Sequence, residues 1–293
     1  MILPFDQAGK PMSYFAGKVA VVTGAGSGIG RALAQALNAA GCLLEISDIN
    51  AESLEETRSL LGNPDVPCES RQLDVSDRGA IEQWAADIDA RYSRVDIVIN
   101  NAGVALTGSA EDNSYEDIEW LMNINFWGVV YGCKSFLPLL RKSNGAHLVN
   151  ISSLFGIIAV PTQSAYHAAK FAVRGYTESL RQELADSNIH VCCVHPGGIK
   201  TNIARSGRIE ADDEEKAEFH ARFDEMAKTT PESAAAQILS AMERKHPRLL
   251  IGRDAKWVTL ISRLFPTSYP RILKWLGPAD MLEAPERSPA NRQ

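Results

Sequence analysis

Lys18-Val-Ala-Val-Val-Thr-Gly-Ala-Gly-Ser-Gly-Ile-Gly30 decides how this 293-residue chain folds. Val19 to Val22 form the apolar run that a strand buried on both faces requires, and the glycines follow at its end. The turn then opens a helix from Arg31 to about Ala40. Strand, glycine turn and helix in that order present backbone N–H groups at a positive helix end, a site for a pyrophosphate. The pattern Gly24-x-x-x-Gly28-x-Gly30 departs from G-x-G-x-x-G, because Ile29 stands where the last glycine of that frame would fall. A second strand, Leu43 to Asp48, ends in an acid about 20 residues on, where a carboxylate can accept hydrogen bonds from ribose hydroxyls. A 2′-phosphate there meets like charge. Neither Ser27 nor Ile49 and Asn50 supplies a cation, and Arg31, the nearest, reads as pointing along its own helix turn. Charge complementarity therefore favours NAD over NADP.

Working outward, a helix near Ala51 to Leu61 ends at Gly62-Asn-Pro64, and a strand from about Glu69 to Leu73 delivers Asp74 and Val75 to the same edge. Asp74 also reads as a cap on the helix starting near Asp77. Val95 to Asn100 is a fourth buried strand, followed by Asn101-Ala102-Gly103, where a missing Cβ lets backbone lie close to a ligand. A long helix runs from Tyr115 to about Leu140, His147 to Ser153 is a fifth strand and Ile189 to His195 a sixth. Thr230 and Pro231 open a further helix, and Arg248 to Gly252 is the seventh strand. Strands alternating with helices give an α/β class: a three-layer, doubly wound parallel seven-stranded sheet with helices on both faces.

Tyr166 and Lys170 stand four residues apart at the start of a helical apolar run of Ala169, Ala172, Val173, Tyr176 and Leu180. A fixed ammonium favours the phenolate, and a shift of about three units is about 4 kcal/mol. Lys170 is thus expected to lower the pKa of Tyr166. Tyr-x-x-x-Lys alone describes many ordinary helices; order adds the weight. The glycine turn, Asp48, Asp74-Val75, Asn100-Asn-Ala-Gly103, Asn125, Ser153, Tyr166 with Lys170, then Pro196-Gly-Gly-Ile-Lys-Thr201 follow one another.

In that order the set resembles the short-chain dehydrogenase/reductase family over residues 17 to 252. The resemblance implies a Rossmann fold and an oxidoreductase that moves a hydride between NAD(H) and an alcohol or ketone. It gives the cofactor to Gly24, Ser27, Gly28, Ile29, Gly30, Asp48, Asn101, Ala102, Gly103, Pro196 and Gly197, with Asp74 and Val75 on the adenine and Ile199 and Thr201 on the nicotinamide carboxamide. It makes Tyr166 the acid/base, Lys170 its partner and a ribose contact, and Asn125, at a local break of the long helix, the holder of a water in the proton path. The thirteen-residue spacing to Tyr166 selects Ser153 over Ser152 as the residue that orients the substrate oxygen. His167 and His195 read as incidental neighbours.

Composition adds limits. Hydrophobic residues at 45% and charged residues at 23% suit a globular core, and a net charge of −6 without a basic block argues against nucleic acid. Five cysteines show no metal-ligand spacing, so no metal is expected, and buried thiols in a reducing compartment fit. No leader pattern and no apolar window of about 18 residues is found, which implies a cytoplasmic address. Residues 1–16 read as an extended arm, 17–252 as one domain with an amphipathic lid at about 203–228, and 253–293 as an amphipathic extension and tail. Trp257, Leu260, Ile261, Leu264 and Phe265, then Ile272, Leu273, Trp275 and Leu276, form stripes interleaved with basic residues, which pack on protein or meet a membrane surface. Val104, Ala105, Leu106, Leu154, Phe155, Ile157, Phe219 and Phe223 are expected to line a substrate pocket without a cation, favouring a hydrophobic secondary alcohol or ketone. An NADPH-dependent ketone reductase is the alternative, and a non-catalytic NAD-binding regulator is another, though sensing needs no proton relay. The family commonly forms homodimers or homotetramers, and Gly128 beside Phe126 and Trp127 suits such an interface.

Overall fold

A computed structural model describes residues 13–209 and 213–276. Its strands are β1 Val19–Thr23, β2 Leu43–Asp48, β3 Cys68–Gln72, β4 Ile97–Asn100, β5 Leu106–Thr107, β6 Ala146–Ile151, β7 Ile189–Pro196, β8 Arg208–Ile209 and β9 Arg248–Ile251. Helices are α1 Gly28–Ala39, α2 Ala51–Ser59, α3 Arg78–Tyr92, α4 Tyr115–Met122, α5 Gly128–Arg141, α6 Ser164–Glu183, α7 Asp213–Met226, α8 Pro231–Glu243, α9 Arg253–Leu264 and α10 Tyr269–Leu276.

Seven strands form one parallel sheet in the order β3-β2-β1-β4-β6-β7-β9. The chain leaves β1 toward β3, then crosses back to β4, so the strand order reverses beside β1, where open α/β sheets bind ligands. Apolar residues of β1, β4 and β6 are buried on both faces, as helix cover on each side demands. On one face Leu33, Leu37, Ile238 and Met242 of α1 and α8 pack against Val22, Ile46 and Ile99. On the other, Trp84, Ile88, Phe136, Leu139, Val173 and Leu180 of α3, α5 and α6 cover Val21, Val98 and Leu148. Trp84 meets Phe136 edge-on at 5.5 Å between centroids, and its indole N–H reaches the buried Glu45 carboxylate, which Arg91 also contacts.

Local chemistry sets most boundaries. Asn50, Asp77, Ser114 and Thr230 each accept a backbone N–H at a helix start, and Pro231 takes the first position of α8. The cap of α3 is therefore Asp77 and not Asp74, whose carboxylate turns instead to the N–H and hydroxyl of Ser76. The long helix expected from Tyr115 consists of α4, a π-helical turn at Asn123–Trp127, which is the local break expected at Asn125, and α5. Ser13 to Ala16 form a turn with Phe15 buried in the core and the Tyr14 hydroxyl 2.7 Å from His147 Nε2, so this part of the expected arm packs inward. The rest of the arm, the acidic stretch 210–212 and the tail from Glu283 lie outside the described residues. Gly128 packs on its own chain, since a Cβ there would meet Val75, while Trp127 beside it is exposed. All five cysteines are free, four of them buried.

Trp84→Ala removes a fully buried indole from this core, and we expect it to cost about 3–5 kcal/mol in urea unfolding. Trp84→Phe keeps much of the volume and should cost less, so equal losses would contradict the packing account.

Candidate active site

A cavity of about 730 Å³ runs along the carboxyl ends of β1, β2, β4, β6 and β7. It is lined by Gly24, Ser27, Gly28, Ile29, Asp48, Asp74, Val75, Asn101, Ala102 and Gly103 toward one end. Val104, Ala105, Ser153, Leu154, Phe155, Tyr166, Lys170, Pro196, Gly197, Ile199, Thr201, Phe219 and Phe223 complete the predicted lining. Four predicted residues stand elsewhere. Gly30 lies behind the turn, Asn125 behind Val104, Leu106 in a buried cluster with Leu121 and Ala169, and Ile157 beyond the wall.

The glycine turn is tight for a steric reason. Gly24 has φ +65°, and a Cβ on it would lie 2.7 Å from Ala102 Cα. At Gly30 a Cβ would collide with the Gly24 carbonyl oxygen, so this glycine serves helix-to-strand packing and not the ligand. Asn101 Nδ2 donates to the carbonyls of Thr23 and Gly24, both at 3.0 Å, and Thr23 Oγ1 accepts the N–H groups of Asn101 and Ala102. Asp48 accepts the Gly26 N–H at 2.8 Å and the Asn50 N–H at 2.9 Å, a role for Gly26 that the spacing of the glycines did not single out. Arg31 does not run along its own helix: it donates to the Gly26 carbonyl and pairs with Glu56 of α2 at 2.6 Å. Ser27 begins α1 with no side-chain cap bond, leaving the first-turn N–H groups to the cavity. The residues present fit a dinucleotide: uncapped helix donors for phosphates, and a carboxylate for ribose hydroxyls.

At the other end, β6 leads directly to Ser153, and α6 presents Tyr166 and Lys170 from one face. The Ser153 hydroxyl accepts the Phe155 N–H at 3.1 Å, while His195 Nδ1 donates to the Ser153 carbonyl at 2.9 Å. Ser152 points away and donates to the Lys170 carbonyl. His167 is held between the Phe155 carbonyl and the Val160 N–H. Lys170 Nζ donates to the Ile151 carbonyl at 3.2 Å and lies 5.7 Å from the Tyr166 ring centroid. Gly103 faces Lys170 and Asn125, since a Cβ on it would come within 3.4 Å of Lys170 Nζ and 3.1 Å of Asn125 Oδ1. Asn125 is fully buried and Asn123 exposed. Both Asn125 amide atoms clamp Val104, Oδ1 accepting its N–H and Nδ2 donating to its carbonyl, each at 2.8 Å. These two bonds position the Asn101–Val104 loop and leave the amide one further N–H donor and one further acceptor lone pair.

The direction of the tyrosine pKa reverses the expectation. Burial pushes the Tyr166 phenol up to about 12, opposed by its hydrogen bond with Ser153, and burial likewise lowers Lys170 to about 8. Desolvation of the buried phenolate sets that direction.

Beyond Tyr166 the wall is apolar. Trp120, Ile124, Val160 and Ile203 join Phe155, Phe219 and Phe223, residues spread over α4, loops and α7 whose convergence no single periodicity announces. Among the described residues the cavity lining contains one cation, Lys170, and no group of His, Cys, Asp and Glu suited to a metal ion occurs.

Comparison with known proteins agrees with this geometry. A sequence model of the family described as short chain dehydrogenase matches residues 18–212. SadH of Mycobacterium tuberculosis (strain ATCC 25618 / H37Rv), named as an oxidoreductase, is 46% identical over 265 residues, covering 89% of this chain and 96% of its own. A 3-ketodihydrosphingosine reductase of Bacteroides thetaiotaomicron is 35% identical over 193 residues, 66% of this chain and 68% of that protein. Among solved structures, a short-chain dehydrogenase/reductase from Burkholderia phymatum in complex with NAD superposes with a TM-score of 0.79 at 27% identity, over 86% of this chain and 95% of that one.

A lysine whose native pKa is near 8 is neutral in the folded state from about pH 8 to 10.5, while the unfolded chain still binds the proton. Its contribution to stability therefore rises with pH through that window. Buried cysteines act oppositely above their ordinary 9, but they are common to a Lys170→Met variant and cancel in the difference. We expect Lys170→Met to be the more stable protein in urea at pH 7, with wild type catching up toward pH 10; a pH-independent difference would contradict the burial account.

Proposed function

The chain belongs to the short-chain dehydrogenase/reductase family, and from that premise we propose that it moves a hydride between NAD(H) and a hydrophobic secondary alcohol or ketone, with Tyr166 as acid/base. Membership makes it an oxidoreductase that works with a nicotinamide cofactor. One observation carries the finer reading: a single cavity has Asp48 and the uncapped start of α1 at one end, Ser153, Tyr166 and Lys170 farther along, and an apolar wall beyond them. The bound dinucleotide supplies the hydride acceptor or donor. The protein's part is to hold the substrate oxygen between the hydroxyls of Ser153 and Tyr166 and to exchange the proton at the Tyr166 oxygen.

A phenol pushed up to about 12 is protonated at neutral pH, the form that gives its proton to an oxygen gaining negative charge. Ketone reduction thus needs no prior ionisation. In the oxidising direction a phenolate is required, and Lys170, fixed by the Ile151 carbonyl, is the cation the protein offers it.

Asp48 supports NAD over NADP. Its carboxylate already orders Gly26 and Asn50, and a 2′-phosphate beside it would meet negative charge while the nearest cation, Arg31, is paired with Glu56. The apolar wall supports an alcohol or ketone on a hydrophobic skeleton, and the relative named for 3-ketodihydrosphingosine reduction is in keeping with such a substrate. The same reading takes residues 17–252 as the dehydrogenase domain, 203–228 as its lid and 253–293 as an extension, in a cytoplasmic homodimer or homotetramer. A non-catalytic NAD sensor would leave Ser153, Tyr166 and Lys170 without a task.

Two measurements test this. Tyr166→Phe should lower kcat by about 10²–10⁴-fold with NADH affinity nearly unchanged; a variant retaining most of its turnover would remove Tyr166 from the chemistry. In a coupled screen of alcohols and ketones, kcat/KM with NAD should exceed that with NADP, and the reverse order would turn the assignment to an NADPH-dependent ketone reductase.

A further inference from the structure

Past β9 the chain wears its larger apolar side chains on the outside. In α9 the small residue Ala255 is buried and the Thr259 hydroxyl is shielded, whereas Trp257, Leu260 and Leu264 are 64%, 48% and 63% exposed. Spacings of three and four residues put these three on one helix stripe, and the exposed Lys256 and Arg263 flank it. Phe265 extends the stripe, and α10 adds Trp275 at 83% exposure beside Arg271. Residues 253–276 hold five lysines and arginines against one acid, Asp254, in a chain whose net charge is −6.

We propose that α9 and α10 form a docking surface for an anionic phospholipid bilayer, with Trp257, Leu260, Leu264, Phe265 and Trp275 entering the boundary between headgroups and acyl chains and the cations meeting lipid phosphates. Both helices abut the cavity. Asp254 of α9 lines it and accepts the Gly198 N–H at 3.3 Å, and the Tyr269 hydroxyl of α10 accepts the Ala159 N–H at 2.8 Å, next to the lining residue Val160. Docking therefore brings the cavity close to the lipid, and a bilayer-borne alcohol or ketone becomes its natural substrate, a consequence that rests on the apolar-substrate reading above. A second copy of this chain is the poorer occupant, because a two-fold contact would set one basic patch against another. Among the described residues no helix is long and apolar enough to cross a membrane, so contact is with the surface.

The test is co-sedimentation of the full chain with sucrose-loaded phosphatidylcholine vesicles, with and without phosphatidylglycerol. Binding is expected on the anionic vesicles. It should fall about tenfold or more in Lys256→Glu/Arg263→Glu and in Trp257→Ser/Leu264→Ser/Trp275→Ser, with NADH binding retained as the check on folding. Absence of pelleting, or equal pelleting by both variants, would overturn the proposal. So would lipid-free, concentration-dependent self-association that the serine variant abolishes, which gives the surface to a second copy. Turnover of a water-soluble ketone is read on the same proteins: its loss with docking intact counts against the catalytic reading alone, and docking lost with turnover intact counts against this inference alone.

Discussion

The parallel register that β1 shares with β2 on one side and β4 on the other is the constraint on which the rest of this structure depends. Val19 to Thr23 pair in step with Leu43 to Ser47, and Ala20 to Val22 with Ile97 to Ile99. Because the strands are parallel and in step, their carboxyl ends finish together. The glycine turn, Asp48 and the Asn101–Gly103 loop must then crowd one edge of the sheet. The crowding is quantitative: Gly24 approaches Ala102 so closely that no side chain fits between them, and Thr23 and Asn101 stitch the two loops with four hydrogen bonds. Shifting β4 by one residue would turn its buried Val98 and Ile99 to opposite helix layers and part these loops. The core and the binding edge are one arrangement.

The same edge shows why burial dominates its electrostatics. Lys170 and Tyr166 both lie deep in the wall, and desolvation disfavours the charged form of each, raising one pKa and lowering the other. The site thereby holds a neutral phenol beside an ammonium that is easily discharged. What stabilises the ammonium is a backbone carbonyl, Ile151, at the end of β6, so the electrostatics of the pair are tied to the strand that also delivers Ser153. His195, fully buried in the neighbouring β7, fastens the Ser153 main chain to that strand. A residue that looked incidental in the sequence is thus a structural partner of the site.

Local repeats made most of the fold legible. Two-sided apolar runs marked the central strands of the sheet, and Thr230-Pro231 announced α8 because a cap and a first-turn proline act over adjacent residues. Tyr166 and Lys170 were legible because helix geometry alone puts residues four apart on one face. What stayed hidden depends on contacts between distant segments. Arg31 finds Glu56, 25 residues on, and Asn125 finds Val104, 21 residues back; neither partner follows from spacing. Asp74 and Asp77 compete for one cap, and turn geometry gives it to the second. Leu106 and Ile157 were misplaced because a loop or short strand has no long period to fix which residue faces inward. The sign of the Tyr166 shift required knowing how deeply the ring is buried, which the four-residue spacing does not encode.

Charge is distributed around the cavity in a way that bears on how the molecule would meet a surface. Residues 213–226, the helix that brings Phe219 and Phe223 to the cavity, carry six acids against two bases, whereas residues 253–276 carry five bases against one acid. Two elements bordering one cavity thus have opposite charge, net −4 and +4. A negatively charged surface attracts the second and repels the first, with the interaction screened over about 10 Å at 0.1 M salt. Such a surface would attract α9 while holding α7 off. Arg205 tethers Asp224 of α7 through an ion pair, and Arg208 pairs with Asp117 of α4, which ties the segment before α7 to the body of the protein. A uniformly charged protein would feel attraction or repulsion without orientation. Here charge of opposite sign on α7 and on the α9–α10 segment makes a dipole, and a dipole near a charged plane has a preferred direction.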